Sequence, residues 1–165
     1  MELYLIRHGR QSSRLCNVNV DLSPEGRRQS ALLGHRLADW GIEVLYSSSL
    51  IRAVQTAEEI NRFLLLPHQV CPELGEISFG EMEGFPDEEI AVRFREFKER
   101  QAAMTEDLPY PGGECAADVI RRAGPVLERL AESGHERIAV VTHGGVIRTM
   151  AAWYLGMPLE KWRLL

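Results

Sequence analysis

Leu3-Tyr4-Leu5-Ile6-Arg7-His8-Gly9 is the stretch from which the fold can be predicted. Its first four residues are all apolar or aromatic, which is typical of a strand covered on both faces in a parallel sheet flanked by helices. Ligands in such sheets bind beyond the carboxyl ends of the strands. We therefore expect Arg7 and His8 to lie at a binding site, where Gly9 allows the backbone to turn sharply.

The same pattern returns near the other end of the chain. Residues 137–142 are mostly apolar and run into His143, Gly144 and Gly145. Between these two segments, apolar stripes at helical spacing alternate with short apolar runs. This alternation predicts an α/β fold with a parallel or mostly parallel central sheet and helices on both faces.

Two of the predicted helices have clear sequence signals. Ser23 is the expected N-cap and Pro24 the first residue of a helix that ends at Gly41, with Trp40 on its buried face. Residues 87–104 form an amphipathic pattern that predicts one further helix.

Length and composition limit the class of protein. The chain has 165 residues, enough for a core without disulfides or metals, so residues 1–165 are predicted to form a single domain. Within it, residues 85–113 form an excursion expected to cap the site. A formal net charge of -5 argues against nucleic-acid binding. Because the sequence shows neither a signal peptide nor a membrane-spanning segment, we expect a cytoplasmic protein with no membrane partner.

Four side chains fall at one predicted edge of the sheet: Arg7, His8, Arg52 and His143. Arg52 lies in the first turn of a helix, where free backbone N–H groups favour an anion. Two guanidinium groups and two imidazoles suit a phosphoryl group, because arginine offers paired donors to its oxygens. Taken singly, each histidine is better explained as a turn residue and each arginine as a surface ion-pair member. Their common placement favours a phosphoryl site.

Four motifs in order resemble the histidine phosphatase superfamily, which includes the cofactor-dependent phosphoglycerate mutases. They span residues 5–9, 47–57, 79–84 and 141–145, with shorter matches at 21–23 and 111–114. The resemblance extends from Leu3 to Arg148. It implies a phosphoglycerate mutase-like three-layer α/β/α sandwich. It also implies a histidine acid phosphatase-type phosphoric monoester hydrolase with a phosphohistidine intermediate, no metal and no other cofactor.

The resemblance further implies roles for individual residues. His8 corresponds to the nucleophile, and Glu76 to the acid that protonates the leaving alkoxide and then activates water. The predicted phosphoryl-binding residues are Arg7, Arg52, His143, Gly144 and Asn17, with His143 also counted as catalytic. Glu81 is close enough in sequence to rival Glu76.

The sequence departs from the superfamily pattern beside the first motif. Arg10-Gln11 stands where Glu-Thr or Glu-Ser is frequent, which adds a positive charge near the mouth of the site. Arg14 stands where the superfamily usually has an asparagine. We expect Asn17 to replace that asparagine through a loop of different shape.

The short excursion at residues 85–113 favours a phosphatase, because the mutases of this superfamily are longer. We expect a metal-independent phosphomonoesterase acting on small phosphorylated molecules, similar to an alpha-ribazole phosphatase or a broad-specificity phosphatase. The alternatives are mutase-type phosphoryl transfer and a phosphate-binding module without turnover. A zinc hydrolase using His8 and His143 is disfavoured, because two arginines would repel the cation.

The last residues predict a contact with another chain. Residues 162–165 resemble the approach to a further strand, so we expect an unpaired sheet edge there. Unpaired edges recruit other strands. We therefore expect either a homodimer or a chain truncated after Leu165.

Overall fold

The computed structural model describes all 165 residues and contains one four-stranded sheet. Its strands are β1 (Glu2–Arg7), β2 (Val44–Ser47), β3 (His68–Val70) and β4 (Arg137–Thr142). They are arranged in the order β1-β4-β2-β3, and every neighbouring pair is parallel. The predicted parallel central sheet is confirmed.

Six α-helices accompany the sheet. They are α1 (Pro24–Leu37), α2 (Ile51–Leu64), α3 (Asp87–Arg93), α4 (Arg95–Ala103), α5 (Ala116–Ala131) and α6 (Gly144–Tyr154). Short 3-10 turns lie at Pro72–Leu74, Gly80–Met82 and Leu159–Leu164. None of these helices combines the length and the apolar character needed to cross a lipid bilayer.

The central strand β4 sends its side chains alternately into two apolar clusters, one on each face of the sheet. Ile138 and Val140 lie in the larger cluster, which includes residues of α5 and α6. Ala139 and Val141 lie in the smaller cluster, which includes residues of α1 and α2. Period-two alternation along a strand places the two clusters on opposite faces. The three-layer α/β/α sandwich is therefore confirmed.

Strand β1 lies at an edge of the sheet. Leu3 and Leu5 pack on the larger cluster, and Tyr4 and Ile6 pack on the smaller one, so both faces of the strand are covered. All four side chains nevertheless remain partly exposed, because β1 has only β4 as a neighbour. The apolar run predicted the covered faces but not the position in the strand order.

Helix α1 begins as predicted and ends early. The Ser23 side chain accepts a hydrogen bond from the Gly26 N–H, and Pro24 is the first helical residue. The helix ends at Leu37, because the backbone tightens to i→i−3 hydrogen bonds before Gly41. The expectation that Trp40 is a buried helical residue is therefore wrong, since Trp40 is 39% exposed.

Two further elements differ from the predictions. The helix expected over residues 87–104 is divided into α3 and α4, because Phe94 leaves helical geometry at φ -113° and ψ 29°. The sequence predicts that residues 162–165 approach a strand. Instead, Leu159–Leu164 form a 3-10 turn, and the Trp162 side chain is buried in the larger apolar cluster.

Candidate active site

A cavity of about 1220 Å³ opens at the carboxyl edge of the sheet. Five of the predicted site residues line it: Arg7, His8, Asn17, Arg52 and Glu76. His143 does not line the cavity. Its side chain is fully buried, and its ring centroid lies 5.0 Å from that of His8. Within the predicted cap at residues 85–113, only Asp87 lines the cavity.

The pairing of β1 with β4 brings the two histidines together. Arg7 is opposite Thr142 in the parallel register, and the His8 N–H donates to the Thr142 carbonyl at 3.0 Å. His8 directly follows Arg7, and His143 directly follows Thr142. Their proximity therefore follows from the strand pairing.

The His8 ring is held with one nitrogen unprotonated, so that this nitrogen can act as a base or a nucleophile. Its Nδ1 lies 2.7 Å from the Gly9 carbonyl oxygen. A carbonyl only accepts, so Nδ1 carries the hydrogen and Nε2 keeps its lone pair. Arg52 Nε donates to that Nε2 at 3.3 Å. Burial, assisted by Arg52 and Arg7, lowers the pKa of His8 to about 4, so the ring is neutral near pH 7.

Arg52 is fixed from the loop that follows β1. Its side chain is 2% exposed. Its guanidinium donates to the Val18 carbonyl at 3.0 Å and to Asn17 Oδ1 at 2.7 Å. Asn17 has a left-handed backbone (φ 47°), and its amide also donates to Glu83 at 2.9 Å. The structure thus places Asn17 against Arg52, and the contact of Asn17 with substrate stays a prediction.

His143 is oriented by Ser48, a residue that the sequence analysis did not identify. The Ser48 hydroxyl lies 2.7 Å from His143 Nε2 and accepts the Leu50 N–H at 3.4 Å. The hydroxyl makes no other hydrogen bond as a donor, so we assign it as the donor to Nε2, and this assignment places the ring hydrogen on Nδ1. This Nδ1 is buried without a partner. Such a donor is stabilised by an oxygen ligand, since leaving it unpaired costs about 1–3 kcal/mol.

Glu76 is held at the N-terminus of α6. Its Oε1 accepts from the N–H groups of Ile77 at 2.9 Å and Gly145 at 3.0 Å. A Cβ on residue 145 would lie 2.4 Å from Oε1, so any residue other than glycine would displace the Glu76 carboxylate. Burial is the largest effect on this carboxyl and raises the pKa of Glu76 above its usual value. The Gly145 N–H also lies 3.3 Å from Oε2, which accepts fewer and longer hydrogen bonds than Oε1 and is the oxygen we assign to proton transfer.

The loop that carries Glu76 is clamped from α5. Arg122 donates to the carbonyls of Gly75 at 2.8 Å and Glu76 at 3.1 Å, and it pairs with Glu114 at 2.8 Å. Glu114 in turn accepts the Ser78 N–H at 2.8 Å. The motif at residues 111–114 was recognised from the sequence. Its partner Arg122 was not, because nothing local marks that arginine.

The remaining candidates occupy different positions. Arg7 has an exposed guanidinium beside Gly144, where a Cβ would lie 3.5 Å from Arg7 Nε. Glu81 is exposed and does not line the cavity, so of these two rival carboxylates the structure brings Glu76 to the site. No group of three or more His, Cys, Asp or Glu side chains is arranged to hold a metal ion.

The ionisation of His8 is directly measurable. We expect its ring to stay neutral, with hydrogen on Nδ1, down to a midpoint near pH 4, because burial and two guanidinium groups disfavour the charged form. Nitrogen-15 NMR of the ring, assigned by comparison with His8→Gln, checks this. The unfolded state takes up the proton first, near its ordinary pKa of about 6.5. This proton uptake should destabilise the fold as pH falls from that value towards 4. A midpoint near 6.5 would contradict the geometry.

Comparison with known proteins places this chain in a family. The family model described as histidine phosphatase superfamily (branch 1) matches residues 3–165. A mycobacterial glucosyl-3-phosphoglycerate phosphatase structure is 28% identical in sequence and superimposes with a TM-score of 0.86. The match covers 99% of this chain and 84% of that one. The alpha-ribazole phosphatase structure from Shigella flexneri is 27% identical in sequence and superimposes with a TM-score of 0.84. This match covers 100% of this chain and 85% of that one.

A curated relative differs greatly in length. The rat protein 6-phosphofructo-2-kinase/fructose-2,6-bisphosphatase 4 is 31% identical over 165 residues, which cover 96% of this chain. The chain spans only 34% of the length of that relative. The likeness therefore concerns one part of the longer protein.

Proposed function

This chain belongs to branch 1 of the histidine phosphatase superfamily, and on that basis we propose that it is a metal-independent phosphomonoesterase acting on small phosphorylated molecules through a phosphohistidine intermediate. The observation that carries the proposal is the state of His8. It is a neutral imidazole with Nε2 unprotonated, beside Arg52 and 5.0 Å from the ring of His143. The phosphatases among the structural relatives support the same reaction class.

In the first step, the His8 Nε2 lone pair attacks phosphorus as the ester P–O bond breaks. The Nδ1–H···O=C bond to Gly9 spreads the positive charge that develops on the ring. Arg52 donates to Nε2 in the free enzyme. That N–H is released towards a phosphoryl oxygen when Nε2 forms its bond to phosphorus.

The non-bridging oxygens meet preorganised donors. Arg7 and Arg52 line the cavity and supply guanidinium N–H groups. His143 does not line the cavity, and we assign its buried, unpartnered Nδ1–H as a third donor that a phosphoryl oxygen bound beside His8 would reach. Because Val18 and Asn17 hold Arg52, and Ser48 holds His143, before substrate arrives, these two donors stabilise transition-state charge with little reorganisation. The buried position of Arg52 strengthens its contribution, since electrostatic interactions are larger where water is excluded.

Glu76 performs the two proton transfers. The raised pKa of Glu76 increases the protonated fraction of its carboxyl, and this form gives its proton to the leaving alkoxide through Oε2. The resulting carboxylate then takes a proton from water as the water oxygen attacks phosphorus. Cleavage of the P–N bond releases inorganic phosphate and restores neutral His8.

The proposal is tested with a panel of phosphate monoesters assayed with and without 2,3-bisphosphoglycerate. We expect release of inorganic phosphate that does not require the bisphosphate. Phosphoryl transfer between positions of phosphoglycerate, dependent on 2,3-bisphosphoglycerate, would instead indicate a mutase. Binding of the esters without phosphate release would indicate a module without turnover.

Metal removal provides a separate prediction. We expect turnover to survive prolonged EDTA treatment, because Arg7, Arg52 and His143 are assigned the phosphoryl charge. Phosphate release is measured before and after chelation, and again after adding Mg²⁺, Mn²⁺ or Zn²⁺. Loss of activity on chelation and its recovery with one of these ions would refute the metal-independent mechanism.

A further inference from the structure

We propose that the outer part of the cavity contains a second anion subsite formed by Arg10 and Arg14. The natural substrate is then a phosphate monoester that carries a second anionic group, either a carboxylate or another phosphate. This inference rests on the proposed function for the identity of the first group. The inference extends the proposed function by naming the substrate class.

The distribution of unpaired arginines points to this subsite. Nine of the seventeen arginines form ion pairs with carboxylates. Of the eight that do not, four line this cavity: Arg7, Arg10, Arg14 and Arg52. Solvated surface arginines would be scattered over the molecule. Here, half of the unpaired arginines face a single cavity of a chain with net charge -5.

Two of these four arginines are not needed by the phosphoryl group. Arg7 and Arg52 account for its charge in the proposed mechanism, together with His143. Arg10 and Arg14 have exposed guanidinium groups with no hydrogen-bond or ion-pair partner in the protein. Both arginines stand where the superfamily pattern has uncharged or acidic residues, so the extra positive charge is a property of this chain.

The backbone of Arg10 is anchored although its side chain is free. Its N–H donates to Gln29 at 3.1 Å, and its carbonyl accepts the Ser23 N–H at 2.8 Å and the Ser23 hydroxyl at 3.0 Å. These contacts hold Arg10 against the start of α1, whose N-terminal dipole adds to the positive potential. An arginine whose backbone is anchored and whose guanidinium has no partner is suited to bind an anionic group of a ligand.

The acidic residues at the cavity do not neutralise this region. Glu25 is paired with Arg28, and both line the cavity. Glu76 is engaged by backbone N–H groups at the N-terminus of α6. Asp87, at the start of α3, is the remaining lining carboxylate. Five arginines against three carboxylates leave the cavity positive.

Binding to the His8→Ala variant tests the subsite without requiring turnover. Glycerol 3-phosphate and 3-phosphoglycerate form a matched pair, because a hydroxymethyl group in one is a carboxylate in the other. Calorimetry should show 3-phosphoglycerate binding at least about tenfold more tightly, which corresponds to about 1.4 kcal/mol. Fructose 6-phosphate and fructose 1,6-bisphosphate provide the corresponding pair for a second phosphate.

The double variant Arg10→Ala, Arg14→Ala in the same background should abolish the preference for the member of each pair that carries the second anionic group. Arg36→Ala is the matched control, because Arg36 is an exposed unpaired arginine on α1 that does not line the cavity. It should keep the preference. Equal affinity within both ligand pairs, or a preference that survives the double variant, would overturn the subsite. Neither result depends on whether the esters are hydrolysed, so the proposed function is judged separately.

Discussion

His8→Ala is expected to lower turnover of every phosphate monoester by a factor on the order of 10⁴ or more, because it removes the nucleophile that forms the covalent intermediate. The residual rate would come from the donors that remain, Arg7, Arg52 and His143. Initial rates of phosphate release from purified wild type and variant measure the loss.

The control for this variant is His35→Ala, which removes an exposed histidine of α1 outside the cavity. It should keep wild-type activity. The fold of His8→Ala should also persist, because the side chain loses two hydrogen bonds, with Gly9 and Arg52, and the ring contact with His143, and His8 is not part of either apolar cluster. Thermal unfolding checks this. A correctly folded His8→Ala enzyme with activity within tenfold of wild type would place the nucleophile elsewhere.

Glu76→Gln should have an effect that depends on the leaving group. General acid catalysis contributes about 10² to 10⁴ in rate, so alkyl phosphates should lose roughly that factor. The first turnover of p-nitrophenyl phosphate should lose much less, since nitrophenolate leaves without a proton. The amide oxygen of glutamine can still accept from Ile77 and Gly145, which preserves the loop.

Burst kinetics separate the two steps in which Glu76 acts. The steady-state rate with p-nitrophenyl phosphate should still fall, because the same carboxylate activates the water that cleaves phosphohistidine. Glu81→Gln is the matched control, as Glu81 is exposed outside the cavity. Equal slowing of alkyl and nitrophenyl bursts by Glu76→Gln would show that another group is the acid. A rate loss in Glu81→Gln that depends on the leaving group would lead to the same conclusion.

The sequence was sufficient to predict the sheet and the edge at which the site lies. Uninterrupted apolar runs before His8 and His143 predict buried strands, and parallel strands present their carboxyl ends at one edge. Arg52 was also predictable, because a helix that follows a strand in such a fold begins at that edge. These features are local patterns repeated along the chain, which periodicity detects.

Other features depend on contacts between distant residues and leave no local pattern. The hydrogen bond from Ser48 to His143 joins residues 95 positions apart, and Asn17 meets Arg52 across 35 positions. The position of β1 at the edge of the sheet is set by which strands pair. The early end of α1 and the break at Phe94 are changes of backbone geometry at a few residues, which the period of apolar residues does not specify.

The central claim is that phosphate is transferred to His8, and trapping the intermediate tests it most directly. Enzyme mixed with a ³²P-labelled monoester is quenched within one turnover, digested and analysed for labelled peptides. The account predicts an acid-labile, base-stable label on the peptide that contains His8, absent from His8→Ala. Active enzyme that yields no labelled protein, or a label on another residue, would contradict it.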